Sequence, residues 1–362
     1  MINLLRRNKK QSKLCYVLFL FFALIGCESQ VKSDKKKLAN PFKPKPENIK
    51  NVTVVNDPQF PPSPPYVAPL DIAIYAVTQY QKNNKESIVF ISVSEIYPLS
   101  EHPDSVAIPN LGGKGIKDIE YFTLEAIYKE RFFHRTKIAK ADKIFIYDYA
   151  ADNLLVLPIK ALKVIACLSP YANLEDESLS QSDYMIGFEI DKKFLNGFKD
   201  LYFQYTLAYI GKEGPFDKGQ MKAMTWEKID SKSFPKIKSE DVTRLRGAIV
   251  GDAYKFETDT LHYFIQDFLG NEMNSARHLV IFSSKTKDLV FEKIYFEEDG
   301  IELAPLNFSK AAYNNIYQWT GNLFKAKPPV IFGFTSLSFG CESISFLHKV
   351  EKDIYIKCDN RH

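Results

Sequence analysis

No stretch of this 362-residue chain names a reaction. It lacks HExxH, by which one helix face presents two zinc-binding imidazoles and a general base. It lacks GxSxG, the strained elbow that carries a nucleophilic serine, and it lacks SxxK. Residues 110–115 read NLGGKG but have no upstream glycine and no Ser or Thr after the lysine, so they form a flexible loop rather than a phosphate cradle. Histidine is sparse: His102, His134, His262, His278, His348 and His362 stand at no metal-ligand spacing from one another. Asp252, Glu257, Asp259 and His262 have the chemistry for a hard cation. They fall on different faces of a helix beginning at 259, so a charged loop and a helix cap describe them better. The "EEDG" at 297–300 lacks the alternating ligands of a calcium loop and reads as a turn between strands. The sequence therefore implies no metal, no cofactor and no assignable catalytic residue.

A membrane-spanning run is also missing at the N-terminus. Arg6, Arg7, Lys9, Lys10 and Lys13 precede twelve apolar residues, Leu14 to Ile25. Twelve residues rise about 18 Å as a helix, short of the ~30 Å hydrocarbon core. A basic segment, a short apolar segment and small residues at its end make a secretory signal. The run closes on Leu24-Ile25-Gly26-Cys27, which resembles the lipobox of bacterial lipoproteins over residues 1–27. That resemblance implies cleavage before Cys27, a diacylglycerol thioether on its sulfur and an acylated (typically palmitoylated) new amino group. It also implies that Glu28, in place of Asp, sends the protein to the outer membrane.

Nor is there a one-signed charge surplus once the signal is removed. The formal +4 includes five basic and no acidic residues from 1–26, leaving about −1 for the mature chain. Seven lysines against Glu28, Asp34 and Glu47 crowd residues 28–50, so the globular remainder carries about −5. The basic character belongs to the signal and the tether, which argues against nucleic acid as a partner. Lysines beside a lipid anchor suit anionic head groups, at about 1 kcal/mol each, or simply solvate the tether.

Cysteine is scarce, and each one has a place. Cys15 leaves with the signal and Cys27 takes lipid, leaving Cys167, Cys341 and Cys358. An exported protein meets an oxidising compartment, where close cysteines pair. Cys341 and Cys358 flank a strand, a polar turn at 349–353 and a second strand, which predicts a local disulfide worth about 3 kcal/mol. Cys167, inside the apolar "KVIACL", is expected as a buried thiol.

What is abundant is proline near the N-terminus and aromatic residues beyond it. Nine of nineteen prolines lie between Pro41 and Pro69. Proline fixes φ and removes donors, so residues 27–68 read as an extended tether that could span on the order of 100 Å. From 69 to 362 the chain reads as one β-rich globular domain, with a possible division into halves near 213–240. The 28 phenylalanines and 20 tyrosines suit half-buried pleated surfaces.

Hairpins are predicted over 70–97, turning at Asn83-Asn84, and over 184–211. Residues 143–171 and 278–306 share a strand, a turn, a strand and a third apolar segment ending in proline. That faint repeat fits two pseudo-equivalent halves, two blades of a propeller-like array, or ordinary meanders. Helices are predicted at 259–270, from the spacing of Leu261, Phe264, Ile265, Phe268 and Leu269, and at 309–319; residues 115–132 are ambiguous. The fold class is mainly β with a few helices; α+β and a propeller-like array are the alternatives.

Two segments qualify as contact surfaces. The C-terminal Asp359, Asn360, Arg361 and His362 form a polar tail pinned by the predicted disulfide, and "YQWTGNLFKAKPPVIFGF" concentrates Trp319, Phe324, Phe332 and Phe334. Solvated tail and packed core are the plainer readings of each. The function expected is a non-catalytic envelope lipoprotein that binds another envelope protein or supports an assembly. An immunity-type lipoprotein that blocks a toxin belongs to the same class. The rival is an envelope hydrolase with carboxylates dispersed in sequence.

Overall fold

The computed structural model describes residues 72–82, 86–172, 179–199, 203–237, 241–270, 275–308 and 316–360. The signal segment, Cys27, the tether, residues 309–315 of the expected second helix, Arg361 and His362 lie outside the described residues. The described part is mainly β. The first nine strands are β1 (Ile74–Ala76), β2 (Thr78–Lys82), β3 (Glu86–Ser92), β4 (Tyr121–Thr123), β5 (Lys143–Asp148), β6 (Asn153–Pro158), β7 (Lys163–Leu168), β8 (Tyr184–Ile190) and β9 (Thr206–Gly211). Two helices, α1 (Ile116–Glu120) and α2 (Ala126–Thr136), occupy the stretch that was ambiguous, with β4 between them.

A further twelve strands follow. They are β10 (Met221–Ala223), β11 (Glu227–Ile229), β12 (Ile249–Glu257), β13 (Leu261–Leu269), β14 (Ala276–Ser283), β15 (Leu289–Phe296), β16 (Ile301–Leu303), β17 (Trp319–Gly321), β18 (Val330–Phe332), β19 (Thr335–Leu337), β20 (Ser343–Phe346) and β21 (Ile354–Tyr355).

All strand ladders are antiparallel, and four sheets stack with apolar cores between them. The outermost has order β2-β3-β8-β7-β4, followed by β1-β9-β5-β6, then β10-β17-β18-β20-β21, then β11-β12-β13-β14-β15; β16 and β19 pair separately. Alternation along β5 shows the layering. Ile144 and Ile146 enter the core shared with β3, β7, β8 and α2, while Phe145 and Tyr147 enter the core shared with Trp319, Val330 and Phe332. On β18, Val330 and Phe332 face that second core and Ile331 the third, with Tyr263, Ile265, Leu279 and Ile281. The two middle sheets are covered on both faces, which is why "IFIY" and "VIF" read as unbroken apolar runs. Helix α2 buries Phe132 against Phe188 and Tyr97, with ring centroids 5.3 and 5.6 Å away.

Four sequence readings need correcting or qualifying. Residues 261–269 form strand β13, not a helix. Tyr263 and Ile265 face the third core while Phe264 packs on Phe282 across the opposite face, so both faces are apolar and the period-2 signal is hidden. The hairpin expected over 184–211 does not form: β8 lies between β3 and β7, and β9 between β1 and β5, each a central strand that takes two other partners. The hairpin over 70–97 forms as β2–β3, with Lys82 paired to Glu86, while β1 separates at Val77 to join another sheet. In the two segments of the faint repeat, β5–β6 and β14–β15 are both hairpins. However, β5 takes its other neighbour from later in the chain (β9) and β14 from earlier (β13).

Cys167 lies on β7 facing a small outer core with Ile88, Phe90 and Ile165. Desolvation, then the Glu189 charge, push its thiol far above the ordinary range. The thiolate is the reactive form, so native protein at pH 8 should leave the Cys167 peptide unmodified by iodoacetamide, and denaturant should expose it to full labelling. Labelling of Cys167 under native conditions, read by peptide mass spectrometry, would contradict this burial.

Candidate functional site

Strands β1–β9 pair only among themselves, as do β10–β21, and the two sets meet along the core that holds Trp319. At one end of this seam the chain end returns. Lys357 runs parallel to β1, donating its N–H to Ile74 O (2.8 Å) and accepting from Ala76 N–H (2.8 Å). The disulfide joins Cys341 to Cys358, with Cα atoms 5.7 Å apart, across the antiparallel β20–β21 pair that the sequence anticipated. Glu342 backbone oxygen accepts from Ile356 N–H at 2.9 Å, tightening the same clasp.

Two cavities of about 450 and 310 Å³ open on either side of this clasp and share Ala76, Gly340 and Cys358 in their walls. The larger is walled by Tyr149, Phe203, Tyr205, Tyr317 and Phe332, with Gln204, Thr335 and Ser336 adding neutral polar groups. Tyr149 is fixed by edge contacts to Trp319 (5.1 Å) and Phe332 (5.4 Å), and its hydroxyl donates to Gln204 O at 3.2 Å. Tyr205 hydroxyl accepts from Ile316 N–H at 2.9 Å. The wall backbone is unusual: Phe203 is left-handed at φ 60° and Gly333 stands at φ 85°. A Cβ on Gly333 would lie 1.9 Å from Tyr317 O, so only glycine fits there.

Among the described residues Glu342 is the one carboxylic acid lining the larger cavity. It keeps surface open to water, yet desolvation by its surroundings raises its carboxyl pKa above the usual carboxylate value. Both hold for a side chain in an open cleft, which touches solvent on one side and protein on the others. The neighbouring Tyr149 hydroxyl is held well above its ordinary pKa, chiefly by burial and then by the Glu342 charge.

The smaller cavity has an aromatic rim. Tyr171 is 61% exposed and Phe339 47%, with Tyr80 and Met185 below them. Asp359 lies at its edge, buried, in a left-handed conformation at φ 57°. Ser92 hydroxyl donates to the Asp359 carboxylate, and Asp359 N–H donates to Glu95 Oε1 at 3.0 Å.

No family model matches the chain, and neither a curated protein nor a solved structure is significantly similar to it. The site therefore stands on its own geometry.

Placement of the sequence candidates sorts them clearly. Trp319 and Phe324 are 4% and 1% exposed, so they are packed core and offer no contact surface. Trp319 supports the larger cavity from behind, through Tyr149 and Tyr205, and Phe324 stacks on Phe216. Of the described tail residues, Asp359 is a buried clasp and Asn360 is exposed on the wall of the smaller cavity. Asp252 pairs with Lys228 (2.6 Å), while His262 contacts Glu257 (3.3 Å). Among the described residues no three His, Cys, Asp or Glu groups converge as a metal site. The 110–115 loop lines a third cavity of about 550 Å³, and its Gly112 N–H is taken by Asn110 Oδ1 at 2.8 Å. Sequence reasoning missed Glu342, Tyr149, Tyr171, Tyr205 and Phe339 as site residues, because no local pattern marks walls that join residues 149–205 to residues 339–342 across more than a hundred positions.

Proposed function

We propose that this protein is a bacterial envelope lipoprotein, anchored through Cys27, whose domain binds another envelope protein at the paired clefts of the seam. The observation that carries this reading is the exposed aromatic rim of Tyr171 and Phe339 beside clefts walled mostly by aromatic and neutral polar groups. Exposed aromatics around a polar recess are what interface cores are built from. A glycan hydrolase with two acidic groups needs carboxylates facing each other about 5–10 Å apart. Among the described residues each of these three cavities is lined by a single acid, Glu342, Asp359 or Glu101. The lipid anchor and proline-rich tether complete the proposal by giving such a domain reach from a membrane. A tethered domain needs no rigid register with its partner.

Site-specific photo-cross-linking in intact cells tests it. A benzophenone side chain at position 171 or 339 should trap one envelope protein in a discrete adduct, and the same probe at exposed Val350 should not. Alanine at both Tyr171 and Phe339 should weaken the complex by about 10-fold or more, as loss of interface anchors does. Equal cross-linking from all three positions, or none from the two rim positions, would count against the reading.

A further inference from the structure

Charged groups at or near the interior of this domain come with partners. His278 contacts Glu292 at 2.8 Å, Arg277 contacts Asp267 at 2.8 Å, Lys327 contacts Glu351 at 3.0 Å and Lys293 contacts Asp353 at 2.9 Å. Asp148, fully buried, accepts backbone N–H groups from Ala150, Ala151 and Lys199. The rule behind this is general: a desolvated charge is paired or hydrogen-bonded. Glu342, exposed on the wall of the larger cleft, stands outside these pairs. Its carboxylate makes no hydrogen bond and no ion pair with the described residues, and among those residues no Lys, Arg or His lines its cavity. The nearest cation to a wall ring is Lys199 Nζ, 5.3 Å from the Tyr205 centroid.

The setting supplies what a cation needs. Aromatic rings of Tyr149, Tyr205 and Tyr317 wall the same 450 Å³ space, within the size range of small-ligand sites. Aromatic faces attract ammonium and guanidinium groups, more strongly where water is partly excluded. The backbone that carries this carboxylate is held in place, since the adjoining Cys341 is cross-linked and the Glu342 backbone oxygen accepts from Ile356 N–H. A left-handed Phe203 in the wall stores conformational strain, a feature that concentrates at binding sites.

We propose that the larger cleft binds the cationic end of a lysine or arginine side chain, presented by the partner, with Glu342 as its counter-charge. This deepens the binding reading and rests on it. The fit is complementary in shape and charge: a long aliphatic stem passes the aromatic walls and its cation meets the carboxylate.

Ligand-observed NMR titration of the full-length protein in detergent tests the proposal, with Nα-acetyl-lysine amide, Nα-acetyl-arginine amide and the neutral Nα-acetyl-norleucine amide as probes. The cationic amides should saturate with dissociation constants in the millimolar range, the strength of one small contact. Norleucine amide should bind at least ~10-fold more weakly, the loss expected when one desolvated charge contact is removed. Glu342→Gln should reduce the cationic amides to the norleucine level, while Glu302→Gln, at an exposed acid on β16, should leave them unchanged. Equal binding of norleucine amide, insensitivity to Glu342→Gln, or no saturable binding of either cation overturns cation recognition. The rim cross-linking reports separately on whether the seam binds a partner at all, so the two failures are distinguishable.

Discussion

Replacing Cys27 by alanine is expected to move the protein from the membrane pellet to the supernatant and to abolish incorporation of labelled palmitate. Under the proposal the anchor is covalent lipid, and each buried methylene of an acyl chain contributes about 0.8 kcal/mol, so two or three chains hold the protein almost irreversibly. Nothing else near the N-terminus compensates. The apolar run from Leu14 to Ile25 is twelve residues, about 18 Å of helix, too short to hold an uncleaved signal across a ~30 Å core. The seven lysines of residues 28–50 attract anionic head groups by about 1 kcal/mol each at low salt. Molar salt shortens the screening length to ~3 Å and removes that attraction. The deciding measurement is fractionation after a high-salt wash, with the wild-type protein as the retained control. A variant that stays in the washed pellet would refute lipid anchoring through Cys27.

How far the sequence could be read depended on the range over which each feature is encoded. The β-rich class and the β2–β3 hairpin follow from alternation within a dozen residues, and both are in the structure. So is the Cys341–Cys358 bridge, because its two halves are brought together by one short strand pair. Strand β13 was misread because a strand packed on both faces carries apolar residues at every phase, helical spacing included. The partners of β8 and β9 were misread for a related reason. A central strand has two neighbours, and local turn signals can name at most one of them.

The site is further still from local code. Tyr149, Tyr205 and Glu342 wall one cavity from three segments of the chain, and what marks Glu342 is its place among those aromatic walls. That property exists only after folding has brought the three segments together. Trp319 and Phe324 show the opposite case. Their density in sequence suggested a surface, but large aromatics gain most by burial, and the stack of four sheets provides two-sided cores to take them.

Replacing both Cys341 and Cys358 by serine should cost about 2–4 kcal/mol, the range for losing a native disulfide that closes a loop of this length. For a domain of about 290 residues that corresponds to a fall in Tm of roughly 3–7 °C. The loss should not be spread evenly. The bridge fixes β21 and the segment after it, and Lys357 in turn supplies both hydrogen bonds on the free edge of β1, to Ile74 and Ala76. Asp359 then ties that end to Ser92 and Glu95 on the other side of the seam. Releasing the clasp therefore loosens β1, the tail and the shared wall of the two cavities together, while the β12–β15 sheet keeps its own core around Ile265, Leu279 and Ile281. Hydrogen exchange should show it, with amides of Ala76, Lys357 and Asp359 losing protection first and those of Leu279 and Ile281 retaining theirs. Uniform loss of protection across all sheets would mean that the bridge supports the whole fold rather than the seam. Unchanged stability would mean that the β1 edge bonds alone hold the tail.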